Sequence, residues 1–302
     1  AAIVNGMHLD EHADATGFFG FFDAVDDYAV TEALLDRAAR WLREQGLVRM
    51  RGPTNPTMMD TAGVLVDGFD RRPALLMPFN APYYPDHLER YGLERAMTMW
   101  AYYVHKKYMD RERLRRGADL VRRRTPKVTS RMVRMDEFDA EAERIRSIYN
   151  DAWSENWGYV PLTEAEFDQL AEEMEQIVDP VLVHLLEVED EPVAFAVALP
   201  DLNEVLRHVR DGRLFPTGLL KLLLYTQLFD VSSCRMALMG VRKKYQGRGF
   251  GTLLVHETVE HGIPAGYDEC ELSWVLDSNR VMINQLEAFG AVRDKEYAMY
   301  ET

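Results

Sequence analysis

The sequence predicts an α/β protein in which helices cover both faces of a sheet, with that arrangement present in two tandem copies and the first copy incomplete. Three observations carry this. Over residues 127–302 the apolar spacing follows the order β-α-α-β-β-(insert)-β-α-β-α-β. The strand-helix-strand-helix-strand order that closes this series also runs through residues 1–105. And Asn80…Leu88-Glu89-Arg90-Tyr91-Gly92-Leu93 lays over Asn279…Leu286-Glu287-Ala288-Phe289-Gly290-Ala291, with Asn-to-Gly separations of 12 and 11 residues.

In the first copy, Gly17 to Val25 reads as a strand and Thr31 to Glu44 as an amphipathic helix ending near Gly46. Leu47 to Gly52 is a strand, Asn80 to Tyr91 a helix and Met97 to Val104 a strand. The chain opens on Ala1-Ala2-Ile3-Val4-Asn5, which reads like the end of a strand, so a segment is expected to be missing upstream. Residues 106–126 read as a basic helical connector. They gather Arg111, Arg113, Arg115, Arg116, Arg122, Arg123 and Arg124, and Glu112 sits i,i+4 from Arg116.

In the second copy, residues 127–302, Thr129 to Met135 is a strand. Phe138, Ala142, Ile145, Ile148, Tyr149 and Ala152 mark one face of a helix that runs to Trp153. Thr163-Glu164-Ala165-Glu166 is a capping box starting a second helix, to about Val178. Val181 to Glu187 and Pro192 to Leu199 form a hairpin across the turn Glu189-Asp190-Glu191. Leu202 to Phe229 reads as helical, broken at Asp211-Gly212 and Pro216. Then follow a strand (Arg235 to Val241), a helix (Gly251 to about His261), a strand (Cys270 to Leu276), a helix (Arg280 to Phe289) and a last strand (Tyr297 to Glu301).

With 47% hydrophobic and 28% charged residues, the 302-residue chain can bury a core without disulfides or metals. Its 35 Lys and Arg against 50 Asp and Glu leave a formal charge of −15, which opposes general binding to nucleic acid. Cys234 and Cys270 are too few for a disulfide framework and read as buried thiols of a reducing compartment. No apolar run is long enough to span a membrane and no secretory signal opens the chain, so a cytoplasmic location is expected by default. His8, His12, His184, His208, His256 and His261 show no metal-binding spacing, and no metal is expected.

The stretch that carries chemistry is Met239-Gly240-Val241-Arg242-Lys243-Lys244-Tyr245-Gln246-Gly247-Arg248-Gly249-Phe250-Gly251, followed by Thr252. An apolar strand runs into Gln-x-x-Gly-x-Gly and then into a helix. A helix start presents unpaired N–H groups and the positive end of its dipole, and glycines let a diphosphate approach the backbone. No Gly-Lys-Ser/Thr ends the loop and the glycines do not fall as G-x-G-x-x-G, so neither a Walker loop nor a dinucleotide fingerprint is present.

On these residues the chain resembles the GNAT superfamily of acyl-CoA-dependent N-acetyltransferases. Val275-Leu276-Asp277-Ser278-Asn279, Leu286 to Ala291 and Tyr297 to Tyr300 extend the resemblance downstream, across roughly residues 127–302. The resemblance implies a mixed, mostly antiparallel sheet flanked by helices. It implies that Gln246, Gly247, Arg248, Gly249, Phe250, Gly251 and Thr252 hold the coenzyme A diphosphate, with Asn279 also at the coenzyme. It implies that the fourth and fifth strands splay and admit the pantetheine arm, with backbone groups of Met239, Gly240 and Val241 against it and one N–H polarising the thioester carbonyl. An amine then attacks directly. Acetyl-CoA is the default co-substrate, and a longer acyl-CoA is open.

The sequence departs from the family's pattern at Leu286, where the family often has a tyrosine that protonates the leaving thiolate. No single base stands out: Glu187, Glu271 and Ser273 are the candidates. The first copy has no glycine loop, and its Asp26-Asp27 would repel a diphosphate, so it is not expected to bind the coenzyme. It is expected to be structural or to wall the acceptor site. Asn55, Pro56, Asn80, Tyr83 and Tyr84 are expected in turns and packing, and Trp153, Asn156, Trp157 and Tyr159 at the acceptor. The expected partner is a small-molecule or peptide amine, without membrane or nucleic acid, and an oligomer is open. The alternative is a coenzyme-binding or degenerate protein with a regulatory or scaffold role. A third reading, transfer of an aminoacyl group from tRNA, rests on the arginine-rich connector alone.

Overall fold

The computed structural model describes residues 1–57, 60–207 and 231–302. The first half comprises β1 (Ala2–Ile3), α1 (Gly6–His12), β2 (Thr16–Phe19), α2 (Tyr28–Glu44) and β3 (Arg49–Gly52). It continues with β4 (Thr54–Asn55), β5 (Thr61–Ala62), β6 (Val64–Asp67), α3 (Tyr84–Tyr91) and β7 (Glu94–His105). Helix α4 (Arg111–Arg124) leads to β8 (Val128–Met132), α5 (Phe138–Trp153), α6 (Glu164–Glu175), β9 (Val183–Val188), β10 (Glu191–Pro200) and the one-turn α7 (Asn203–Leu206). The chain ends with β11 (Ser233–Val241), α8 (Phe250–Gly262), β12 (Glu269–Leu276), α9 (Arg280–Ala288) and β13 (Val292–Glu301). Apart from α7, the helical reading of Leu202 to Phe229, with its breaks at Asp211-Gly212 and Pro216, lies outside the described residues, as does His208.

The molecule is a mixed α/β fold on one large, mostly antiparallel sheet, in the order β1-β2-β3-β13-β7-β12-β11-β10-β9-β8, with β6 also paired to β13. The two halves mirror each other about the central antiparallel pair β7–β13. Each holds a parallel pair, β2–β3 in one and β11–β12 in the other. Beside β3 lies β13, and beside β12 lies β7, both antiparallel. The last strand of each half thus completes the sheet of the other. Local signals explain why each follows its helix: α3 and α9 end at Gly92 (φ +97°) and Gly290 (φ +91°), whose left-handed backbone turns the chain into β7 and β13.

Several elements differ from the sequence reading for identifiable reasons. The strand expected from Gly17 to Val25 stops at Phe19, because Gly20 packs so tightly on the Thr54 carbonyl that no Cβ would fit, and the chain turns away at Phe21 (φ +48°). Helix α3 starts at Tyr84 and not Asn80, since the Asn80 amide is spent on the Leu65 backbone, accepting from its N–H at 2.6 Å and donating to its carbonyl at 3.2 Å. The basic segment is not a solvated tether: α4 buries Leu114, Ala118 and Val121, and its Gly117 lies against Thr252 of α8. The short β6 was not anticipated. Among the described residues, no helix is long and apolar enough to cross a membrane.

Candidate active site

The parallel pairing of β11 with β12 runs from Ser233↔Glu269 to Met236↔Leu272 and then stops, although the strands continue to Val241 and Leu276. Both strands bend at this level. Ala237 is left unpaired where the β10–β11 register shifts, and the β12–β7 register shifts between Leu272 and Val275. An extra residue bends and twists its strand, so two irregularities side by side open a splay.

At the top of β11 a short turn leads into the glycine loop. Gly247 (φ +73°) and Gly249 (φ +86°) have left-handed backbone that side chains disfavour. The Gln246 amide donates to the Val241 carbonyl at 3.1 Å, and the stacked rings of Tyr245 and Phe250 (5.6 Å) seat the loop on the core. Lys244 and Arg248 extend over the Tyr245 ring at 5.2 Å each. Helix α8 starts at Gly249 with no side-chain cap, so its first N–H groups remain available to an anion. Helix α2 of the first half is different: the Asp27 carboxylate accepts from the Ala29 N–H at 2.9 Å and occupies that helix start with its own negative charge.

A cavity of about 250 Å³ passes through the splay. On one side it is lined by Val255, Asn279, Met282 and Leu286 of α8 and α9, and on the other by Tyr149, Trp153, Trp157, Leu170 and Met174. The Trp153 indole N–H donates to the Met239 carbonyl at 3.2 Å and joins the aromatic roof to the rim of β11. The first half holds this roof down. Arg51 lies over the Trp157 ring at 4.8 Å, His12 Nε2 pairs with the Tyr159 carbonyl at 2.7 Å, and Leu76 supplies part of the wall.

A hydrogen-bonded row of buried charges crosses the sheet at the closed end of the splay. Arg235 Nε donates to Ser273 Oγ at 3.0 Å, and Ser273 Oγ donates to Glu271 at 2.8 Å. Lys295 Nζ binds Glu271 at 2.6 Å and Asp294 at 2.7 Å, and Arg71 pairs with Asp294 at 2.8 Å. Burial pushes the Arg235 guanidinium down from its ordinary value, against the pull of Glu271, and it remains a cation. A hydrogen bond with Cys270 and burial hold the Cys234 thiol well above the usual range.

The structure brings Met239, Ser273 and Asn279 together on the cavity wall, with Gly240 and Val241 continuing β11 at its rim. Asn279 also caps α9, accepting from the Met282 N–H at 3.1 Å. Residues Gln246 to Thr252 form the adjoining loop and helix start; a Cβ on Gly251 would stand 3.7 Å from Met239 Cε. Glu271 stands behind Ser273. Glu187 does not line the cavity: its carboxylate is held by Arg131 at 2.8 Å, which also binds the buried Glu141. Asn55 accepts from the Phe21 N–H and Tyr83 donates to the Ala24 carbonyl, both packing roles. Sequence reasoning missed Arg235 and Leu76. Arg235 had a signal, a charge set within the apolar run Cys234 to Met239.

Residues 142–291 match the family model described as the acetyltransferase (GNAT) family. Protein YghO of Escherichia coli (strain K12) is 34% identical over 305 residues, spanning 99% of this chain and 77% of that protein. The bacterial ceramide synthase of Caulobacter vibrioides (strain NA1000 / CB15N) is 36% identical over 290 residues, 94% of this chain and 74% of that protein. Among solved structures, a tandem GNAT protein from the clavulanic acid biosynthesis pathway shares the fold with a TM-score of 0.53 at 11% identity, over 95% of this chain and 75% of that one.

Proposed function

This chain belongs to the acetyltransferase (GNAT) family and is an N-acyltransferase, and from that premise we propose that it moves an acyl group from acyl-coenzyme A to a long-chain primary amine inside the splay of β11 and β12. The observation that carries the reading is the cavity itself, which pierces the sheet beside an uncapped helix start and is lined from both faces. The coenzyme diphosphate rests on the N–H groups of residues 247–252, and the pantetheine arm enters between the strands. A backbone N–H of the Met239–Val241 stretch polarises the thioester carbonyl. The amine attacks that carbon, the C–N bond forms, the C–S bond breaks and coenzyme A leaves as its thiolate. The amine's proton passes to Ser273 and Glu271, the acid–base candidates that reach this cavity.

The far half of the cavity, walled by Leu76, Trp153, Trp157, Leu170 and Met174, suits an alkyl chain better than a peptide. The name of the Caulobacter relative describes the synthesis of a ceramide, an N-acylated long-chain amine, and supports the same choice here. Residues 1–105 form a degenerate copy that does not hold the diphosphate, because Asp27 already fills its helix start. It braces the acceptor wall, with residues 106–126 as the link to the catalytic copy, residues 127–302. Use of acyl-coenzyme A supports the cytoplasm as the place of action. The test is thiol release and amide formation from acetyl- and long-chain acyl-coenzyme A, with long-chain and short amines. Turnover of the long-chain amine is expected, and no thiol release with any pair overturns the reading.

A further inference from the structure

We propose that Arg235 reads an oxygen atom beside the reacting amine, so that the acceptor is a long-chain amine bearing a hydroxyl or carbonyl group next to its nitrogen. This rests on the acyltransfer reading above and deepens it.

Arg235 is 7% exposed and lines the cavity at the level where the β11–β12 pairing ends. Its neighbours on the wall are mainly apolar, so its N–H groups meet little water. A guanidinium has five N–H donors. Three are used: Nε to Ser273 Oγ at 3.0 Å, one Nη to the Leu75 carbonyl at 3.0 Å and the other Nη to the Ser273 carbonyl at 3.2 Å. One N–H on each Nη is left over. All three acceptors are neutral, and among the described residues no carboxylate forms an ion pair with Arg235; the nearby Glu271 is taken by Lys295. Buried donors in an apolar wall are costly unless something accepts from them. An oxygen carried in by the acceptor does so, and orients the adjacent amine toward the thioester.

The charges around the site decide which kind of oxygen fits. Arg235, Lys295, Arg71 and Arg72 face Glu271, Asp294, Asp201 and Glu204, four cations against four carboxylates. A carboxylate or phosphate on the acceptor would leave an unbalanced anion in a buried place, whereas a neutral oxygen adds no charge.

The experiment compares three amines of equal chain length: a vicinal amino alcohol, the plain alkylamine, and the amine bearing a carboxylate beside its nitrogen. kcat/KM for each is measured with the wild type, Arg235→Met and Arg235→Lys, with acyl-coenzyme A thermal stabilisation read in parallel. The wild type is expected to prefer the amino alcohol over the alkylamine by roughly a hundredfold or more. Arg235→Met is expected to lose that preference while keeping the shift with acyl-coenzyme A, and Arg235→Lys to keep part of it. Because the preference is a ratio within one variant, a general loss of folded protein cancels. A wild type that acylates both amines equally, an Arg235→Met variant that keeps the preference, or a preference for the carboxylate overturns the proposal while leaving acyl transfer standing. Failure to acylate any amine overturns both.

Discussion

Gly249 meets two constraints at once. Its φ of +86° costs a side-chain-bearing residue about 1–2 kcal/mol, and a Cβ there would stand 2.8 Å from a Val121 methyl group. Gly249→Val is therefore expected to abolish the thermal stabilisation given by acyl-coenzyme A. Gly251→Ala, whose Cβ has 3.7 Å of room, is expected to keep most of it; equal loss in both would place the diphosphate elsewhere. His184 is the clearest titrating group. Burial, and then the neighbouring His261 at 3.1 Å, push its pKa down to about 4. The unfolded chain takes up that proton near pH 6.5, while the folded protein waits until about 4, so stability falls as pH drops through this window, by about 3 kcal/mol in all. His184→Leu should flatten the dependence of Tm on pH between 6.5 and 4, and an unchanged slope would assign it to other groups. At this scale the glycine loop was legible because its chemistry lies in adjacent residues. The Lys295–Glu271 pair was not, since its members stand on β12 and β13, which β7 separates.

Elements with local signals were equally readable. Thr163 and Glu166 form the reciprocal cap expected of their spacing, and α5 spans Phe138–Trp153 as its apolar face predicted. The exchanged strands were hidden, because nothing in the spacing of β7 or β13 states which neighbour it will choose, and both read simply as strands. Their exchange has a direct consequence for expression. Residues 127–302 alone leave β12 and β13 without the strand that lies between them, exposing unpaired edges. That fragment is expected to aggregate, and co-expression with residues 1–126 to restore a soluble complex that responds to acyl-coenzyme A. A soluble, active fragment would show that β13 can move to β12 unaided.

For the whole molecule, a shared sheet and a roof braced by the first half mean that stability cannot be divided between the halves. Leu88, fully buried under α3, lies far in sequence from the glycine loop. Leu88→Ala is expected to cost roughly 2–5 kcal/mol and to lower a single unfolding transition, seen alike by tryptophan fluorescence and by far-UV circular dichroism. Two separated transitions would contradict the coupling. The charge of −15 takes on a spatial meaning as well: the acidic body carries its basic side chains on the glycine loop and on the outer face of α4, the helix packed against α8.

The placement of β13 also fixes an order in time. A ribosome delivers β3 some 240 residues before it delivers Val292–Glu301, the strand that closes the β3 edge. At a synthesis rate of about 5–20 residues per second, the first half waits for roughly ten seconds or more with that edge uncovered. Its folding is therefore completed only after release of the chain, and the final ten residues act as the latch on the earliest part of the protein to be made.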